Sequence, residues 1–272
     1  MQQTSARSSI AETFSDLKIR RQIALVPFIP AGYPNLGTTI ACLHALEQSG
    51  ASLIEVGIPF SDPIADGPVI QEAFTEALAN KIKVAEVFKA IATARPALRI
   101  PLVAMLSYSI VFRCGIEKFA ADAKATGFDG LIIPDLPPPE AQSVTERIRA
   151  AGLDTILLVA PTTTAERRKQ IAQLSSGFVY YLSVSGITGE RDQLPTDLAQ
   201  SVRELKKLTD RPVCVGFGIH QPQQVRQLQS LADGAIVGTA YVRRMKQNLE
   251  QPPARIAQIV ADYTRELLSQ VR

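Results

Sequence analysis

Eight short apolar runs alternate with amphipathic segments along this chain of 272 residues. Runs of this length suit strands that are buried on both faces, and amphipathic connections suit helices that cover such a sheet. Eight strand–helix units in a chain of this size predict an α/β fold, the closed (β/α)8 barrel. The runs cover residues 24–29, 52–57, 101–106, 129–134, 154–160, 177–183, 212–217 and 233–238.

The connecting segments have helical spacing and end at glycine. In residues 38–50 the apolar side chains recur at helical intervals and Gly50 supplies a stop signal, and residues 116–127 and 140–152 follow the same rule. Segments 8–19 and 252–268 predict extra helices at the two ends of the barrel. An open, doubly wound sheet is the alternative fold, but no G-x-G-x-x-G follows the first strand.

No linker, low-complexity tract or block of charge divides the sequence, so we expect one domain over residues 1–272. The 29 basic and 26 acidic residues leave a net charge of +3, which gives no reason to expect binding to nucleic acid or to an anionic membrane. The N-terminus lacks an apolar signal segment and no apolar run reaches the length of a membrane span. We therefore expect a soluble, cytoplasmic protein.

The three cysteines are widely spaced and only two histidines accompany them. Cys42, Cys114 and Cys214 form no C-x-x-C pair, and His44 and His220 are distant in sequence. Neither a disulfide framework nor a zinc site is indicated, so the pattern is typical of reduced thiols and no metal is expected.

One carboxylate interrupts the second apolar run, within the sequence LIEVGIPFSDPIADGP at 53–68. Side chains alternate along a strand, so Ile54, Val56 and Ile58 share a face that suits the helix layer, and Glu55 points into the barrel. Burial raises the pKa of a carboxyl group toward neutrality, where it can give and take protons. The other interpretation is a structural glutamate that a tyrosine or a backbone group satisfies.

Two further carboxylates follow in the loop. Asp62 precedes proline, which is typical of a turn. Asp66 lies beside Gly67 and Pro68, close to the strand end where Glu55 points. Two carboxylates in different surroundings can hold opposite protonation states, one as a proton shuttle and the other as a fixed anion.

Glycine turns follow the last three predicted strands, at residues 185–189, 216–218 and 238–239. Glycine lets backbone N–H groups approach an anion closely, and a short helix after the eighth strand would add its positive end. Loops after strands seven and eight commonly bind phosphate in this fold, so a phosphate site is predicted, although each turn alone could be only a turn. Phe28, Tyr180 and Phe217 lie at strand ends around the same mouth, either as a stacking site for a planar apolar ligand or as core.

Five motifs together carry a family resemblance. They are VPFIPAGYP, LIEVGIPFSDPIADGPVIQ, PDLPPPE, YYLSVSGITG and VGFGI, in this order and across nearly the whole chain. The sequence resembles the α subunit of tryptophan synthase. The resemblance implies a (β/α)8 barrel that cleaves indole-3-glycerol phosphate to indole and glyceraldehyde 3-phosphate. It also implies that indole passes to a β subunit, in a heterotetramer of two α and two β subunits. No cofactor is implied in this chain, and pyridoxal phosphate is implied only in the β subunit.

The resemblance also implies roles for individual residues. Glu55 would be the proton shuttle and Asp66 the carboxylate that faces the indole N–H. The phosphate-binding backbone would be at Gly189, Gly218, Gly238 and Thr239. The indole pocket would be lined by Phe28, Met105, Ile132, Tyr180, Phe217 and Ile236.

The chain departs from the family pattern in three loops. Pro30 and Tyr33 replace a threonine and an aspartate, Ser109 and Ile110 replace an asparagine and a proline, and Val184 stands where some members carry arginine. The Ser109 loop faces the β subunit in the family, so a stand-alone lyase that releases indole is an alternative. A barrel that mainly binds and activates a β subunit, and another phosphate-binding barrel enzyme, are the other two.

Overall fold

A computed structural model describes residues 9–63, 66–183, 194–216 and 218–271. Eight parallel strands form a closed barrel in sequence order, and β8 pairs with β1 to complete it. The predicted (β/α)8 barrel is confirmed, each of the eight apolar runs contains a strand, and the open sheet is ruled out. The strands are β1 Ala24–Pro30, β2 Ile54–Gly57, β3 Leu102–Met105, β4 Gly130–Ile132, β5 Asp154–Val159, β6 Val179–Leu182, β7 Val213–Gly216 and β8 Gly234–Val237.

Helices cover the outside of the barrel and extend it at both ends. The two predicted end helices are present, as α1 and α12. The helices of the described residues are α1 Ile10–Arg20, α2 Leu36–Gln48, α3 Pro68–Ala79, α4 Val84–Ala94, α5 Tyr108–Cys114, α6 Ile116–Thr126, α7 Ala141–Ala150, α8 Ala165–Leu174, α9 Leu198–Lys206, α10 Pro222–Leu228, α11 Thr239–Lys246 and α12 Pro253–Leu268.

Local sequence explains where several helices begin and end. Ser9 and Glu12 form a reciprocal capping box at the start of α1. The Asn35 side chain accepts a hydrogen bond from the Thr38 N–H at the start of α2. Gly127 ends α6 in the left-handed conformation, with φ 109°, which side chains other than glycine rarely adopt.

Two apolar layers divide the core as side-chain alternation predicts. Ile54, Val56 and Ile58 belong to the large cluster between the strands and the helices. Leu53 belongs to the smaller cluster inside the barrel. Glu55, two residues further along the strand than Leu53, therefore faces inward.

The N-terminal end of the barrel is filled by α1. Ile10 and Phe14 join the cluster inside the barrel, and the Phe14 ring lies 5.9 Å from the Phe178 ring, centroid to centroid. Since this end is filled, a ligand can reach the interior only at the C-terminal ends of the strands, where active sites of this fold occur.

At the other end of the chain, α12 packs against α2, α10 and α11. Its Leu268 lies so close to Gly50 that a β-carbon there would come within 2.9 Å of it. The last helix thus closes the outer layer from the first strand–helix unit to the last two. Among the described helices, none is both long and apolar enough to cross a membrane.

Candidate active site

Glu55 lies on the inner face of β2, level with Phe28 on β1 and Val103 on β3. Its side chain is 1% exposed, and no hydrogen-bond partner for its Oε2 occurs among the described residues. Burial, together with the nearby Asp66 carboxylate, raises the pKa of Glu55 to about 8. The structural alternative, a glutamate fully satisfied by its neighbours, does not account for this oxygen.

Asp66 lies in the loop after β2 and is held there through its backbone. Its N–H donates to the Pro63 carbonyl at 3.0 Å. The Gln71 side chain, on the first turns of α3, donates to the carbonyls of Asp66 at 2.7 Å and of Pro63 at 3.2 Å. The Asp66 side chain is 4% exposed, and burial raises its pKa to about 6.

The two acids therefore have opposite charges at neutral pH. Between pH values of about 6 and about 8, Asp66 is a carboxylate and Glu55 holds its proton. This difference is the one that the sequence predicts for a proton shuttle beside a fixed anion. Asp62, in the same loop, is exposed, in keeping with its predicted place in a turn.

Tyr180 lies on the inner face of β6 and faces the two acids. Burial and the charges of Glu55 and Asp66 raise its pKa well above the ordinary value, so the phenol stays neutral. Its ring occupies the space above Gly216, where a β-carbon would come within 2.4 Å of it. Gly216 is therefore needed to admit the Tyr180 ring.

Phe28 reaches the mouth from β1. Its ring lies over Gly57, where a β-carbon would come within 2.5 Å, and meets the Phe74 ring of α3 with centroids 6.4 Å apart. Phe74 also packs against Phe60 in the loop after β2. Phe74 and Gln71 thus link the acid-bearing loop to α3.

Apolar side chains continue around the inner face. Ile132 on β4 and Ile236 on β8 are buried in the cluster inside the barrel, together with Tyr180. Met105 on β3 is half-buried, packs against this cluster and is level with Ile132. Five predicted pocket residues thus lie on inward-facing strand positions, and the sixth, Phe217, lies outside the described residues.

Three of the predicted phosphate-binding residues are described. Gly218, after β7, has φ 78°, a conformation that favours glycine. Gly238 is the N-cap of α11 and Thr239 is its first residue, so the positive end of this helix lies at the mouth. Gly189 is outside the described residues, as is Val184.

Gly238 has no local requirement for glycine. Its φ is −112°, and an added β-carbon would meet Phe28 and Ile70 only at ordinary contact distances of 3.7 and 3.8 Å. Close approach of a ligand to the backbone is a remaining reason for glycine here.

The loop after β3 forms the short helix α5, which is tied to the loop after β4. Asp135 accepts hydrogen bonds from the Ser107 hydroxyl and the Tyr108 N–H, both at 2.7 Å. The Tyr108 hydroxyl donates to Glu140. Phe112, in the middle of α5, is 64% exposed, an unusual position for a phenylalanine.

The departure at Tyr33 is accommodated in the core. Tyr33 is fully buried, and burial near Glu72 and Glu76 raises its pKa. Within the described ranges, no group of three or more His, Cys, Asp or Glu side chains is placed to hold a metal ion.

The fold and the paired acids place this chain among the (β/α)8-barrel enzymes, whose reactive groups gather at the C-terminal ends of the strands. The family model of the tryptophan synthase alpha chain matches residues 14–271. The chain belongs to this family, which is one of lyase-type enzyme subunits in tryptophan biosynthesis.

Relatives and solved structures agree with this membership. A tryptophan synthase alpha chain of Rhodopirellula baltica is 46% identical over 241 residues, which cover 88% of this chain and 87% of the relative. One of Prochlorococcus marinus is 44% identical over 265 residues, covering 97% and 95%.

A tryptophan synthase structure from Mycobacterium tuberculosis superimposes with a TM-score of 0.86 at 36% identity, covering 98% of this chain and 99% of the other. The tryptophan synthase A-subunit of Pyrococcus furiosus gives a TM-score of 0.84 at 36% identity, covering 91% and 98%.

Proposed function

We propose that this barrel cleaves indole-3-glycerol phosphate to indole and glyceraldehyde 3-phosphate by a retro-aldol reaction. The observation that carries the proposal is the pair of buried acids, with Glu55 protonated and Asp66 ionised at neutral pH. Membership of the family supports the same reaction.

Glu55 carries the protons in this mechanism. It gives its proton to indole C3, which breaks the aromaticity of the ring and leaves positive charge on the ring nitrogen. The Glu55 carboxylate then takes the proton of the side-chain hydroxyl. The bond between C3 and the side chain breaks, its electrons return to the indole ring, and an aldehyde forms. One proton is given and one is taken, so Glu55 ends the cycle in its starting state.

Asp66 stabilises the charge that develops on the indole nitrogen. A fixed carboxylate beside the N–H is most effective where water is excluded, and Asp66 is buried. Its backbone tether to Gln71 holds it in place before substrate binds.

The remaining predicted residues hold the two ends of the substrate. Phe28, Met105, Ile132, Tyr180, Phe217 and Ile236 are proposed to surround the indole ring. Gly189, Gly218, Gly238 and Thr239 are proposed to bind the phosphate through backbone N–H groups and the N-terminus of α11.

A β subunit is the proposed partner, in a heterotetramer of two α and two β subunits in the cytoplasm, with pyridoxal phosphate bound by the β subunit. The loop with Pro59, Ser61 and Asp62 and the loop from Ser107 to Ile110 leave the barrel at its mouth, where an indole channel would begin. The exposed Phe112 on α5 supports docking at this face.

The assay for this proposal measures indole released from indole-3-glycerol phosphate by the wild-type chain and by Glu55→Gln. The amide has the size of the acid but cannot exchange protons at neutral pH, so we expect the rate to fall by about 10²–10⁴-fold or more. Wild-type chain that releases no indole, with or without a β subunit, would refute the proposal. A variant that keeps more than about a tenth of the rate would refute the role of Glu55.

A further inference from the structure

Tyr263, on α12, joins the two loops that follow β7 and β8. Its side chain is 2% exposed, and its hydroxyl donates to the His220 carbonyl at 2.8 Å. Its ring meets the Tyr241 ring of α11 edge to face, with centroids 4.9 Å apart. The Arg244 guanidinium, also on α11, lies 3.3 Å from the centre of the Tyr263 ring.

The contact with His220 reaches the backbone at Gly218. The Nδ1 atom of His220 lies 2.9 Å from the Gly218 carbonyl oxygen. The His220 N–H donates to Gln224 of α10 at 2.8 Å. The turn at 218–220 is thus held between α10 on one side and the Tyr263 hydroxyl on the other.

The contact with Tyr241 reaches the start of α11. Tyr241 is the third residue of this helix, it is fully buried, and its N–H donates to the Gly238 carbonyl at 2.9 Å. Its hydroxyl is 2.8 Å from the Thr264 hydroxyl of α12. Tyr263 packs on this side chain and also bonds the other loop, so it fixes the distance between Gly218 and Gly238.

We propose that Tyr263 is a positioning residue for phosphate binding, which it serves by holding the two phosphate-binding loops in register. The inference rests on the proposed function, since it assumes that Gly218 and Gly238 bind phosphate. Backbone donors bind an oxyanion at about 2.7–3.2 Å, so a small shift of one loop relative to the other weakens the whole cradle.

The test is calorimetric titration of the full chain with glycerol phosphate and, separately, with indole. Tyr263→Phe keeps the ring and its stacking but removes the bond to the His220 carbonyl. A net hydrogen bond of this kind corresponds to roughly a 2–10-fold change in an equilibrium constant, so we expect glycerol phosphate to bind about fivefold more weakly. Indole should bind as it does to wild type, and in turnover KM should rise while kcat is kept.

Tyr241→Phe is the matched control. It also removes one hydroxyl from a buried tyrosine at the same helix contact, but that hydroxyl bonds Thr264 rather than a loop backbone. Loss of glycerol phosphate affinity in Tyr263→Phe with less than about a twofold change in Tyr241→Phe supports the inference.

Equal losses in the two variants, equal losses for the two ligands, or unchanged glycerol phosphate binding in Tyr263→Phe would overturn it. A third variant separates this failure from failure of the proposed function. If Gly218→Asp binds glycerol phosphate as wild type does, the loops do not form the phosphate site, and both proposals are wrong.

Discussion

Glu55 is the residue whose chemistry is most constrained by its surroundings. It is buried, one of its oxygens lacks a partner, and a second acid lies nearby. Such a group destabilises the folded chain whenever it ionises, because the folded state holds a proton that the unfolded state releases.

The sign of this effect sets a pH window. The pKa of Glu55 is 4.5 in its ordinary state and about 8 in the fold. Because it is raised, the contribution of Glu55 to stability is fully present below pH 4.5 and falls as pH rises to about 8, after which it is constant.

Glu55→Gln removes this titration. We expect the variant to gain stability relative to wild type as pH rises from 5 to 8.5, by on the order of a few kcal/mol. Urea unfolding of both proteins at pH 5, 7 and 8.5 measures the difference. A difference that is the same at all three values would show that Glu55 titrates normally in the fold.

The proton states of the two acids also predict a bell-shaped pH profile. Turnover needs ionised Asp66 and protonated Glu55, so kcat/KM should fall below about pH 6 and above about pH 8. Asp66→Asn should lower turnover by at least about 10²-fold and remove the acidic limb.

The exposed Asp122→Asn on α6 is the control for loss of one carboxylate, and its profile should match wild type. If Asp66→Asn kept kcat and weakened only substrate binding, Asp66 would be a docking group.

Residues on strands were easier to predict than residues on helices. Alternation along β2 is enough to turn Glu55 inward, and the turn at Gly67 and Pro68 is enough to bring Asp66 close. Gln71 and Tyr263 lie on helices, where periodicity predicts burial but not the partner. Their partners, the Asp66 and His220 carbonyls, are backbone atoms of loops, and a sequence carries no signal for such pairs.

At the scale of elements, apolar runs located every strand but not its ends. Pro101 and Pro212 open two runs and lie just before β3 and β7. Proline has no N–H to donate, but its carbonyl still accepts: Ile54 donates to Pro101 at 3.0 Å and Val179 to Pro212 at 2.8 Å.

The helix α5 was not predicted, because seven residues are too few for helical periodicity to be read. It is formed by tertiary contacts, above all the Asp135 carboxylate, which accepts from Ser107 and Tyr108.

The loops after β7 and β8 give a prediction about binding. Gly218→Asp puts a side chain and a negative charge into the proposed phosphate cradle. We expect it to weaken binding of glycerol phosphate by at least about tenfold while indole binds nearly as before, because a carboxylate repels the phosphate and blocks the backbone.

Gly115→Asp is the matched control. Gly115 also has a positive φ, 82°, but it lies between α5 and α6, and nothing is within 4 Å of an added β-carbon. It imposes a similar backbone strain without a charge near β7 and β8. Equal losses for glycerol phosphate in both variants would trace the effect to strain rather than to the cradle.

For the whole molecule, the mouth of the barrel is both the proposed catalytic site and the proposed docking face. Docking of a β subunit on α5 and on the loop after β2 would order the groups around Asp66. We therefore expect docking to raise the cleavage rate, and substrate at the mouth to raise affinity for the β subunit, since coupling of binding is reciprocal.

The measurement is the cleavage rate titrated with the β subunit encoded in the same genome. A saturating rise supports the complex, and a high rate without any complex would favour the stand-alone lyase. Ser109 and Ile110 differ from the family pattern at this face, so we expect a β subunit from another organism to activate less.

The place of α12 in the chain has a consequence for synthesis. This helix leaves the ribosome after all eight strands, and it carries the tyrosine that we assign to both phosphate-binding loops. Nascent chains fold from their N-terminal side. The catalytic acids on and beside β2 are therefore made early, whereas phosphate affinity is the last property that a growing chain acquires.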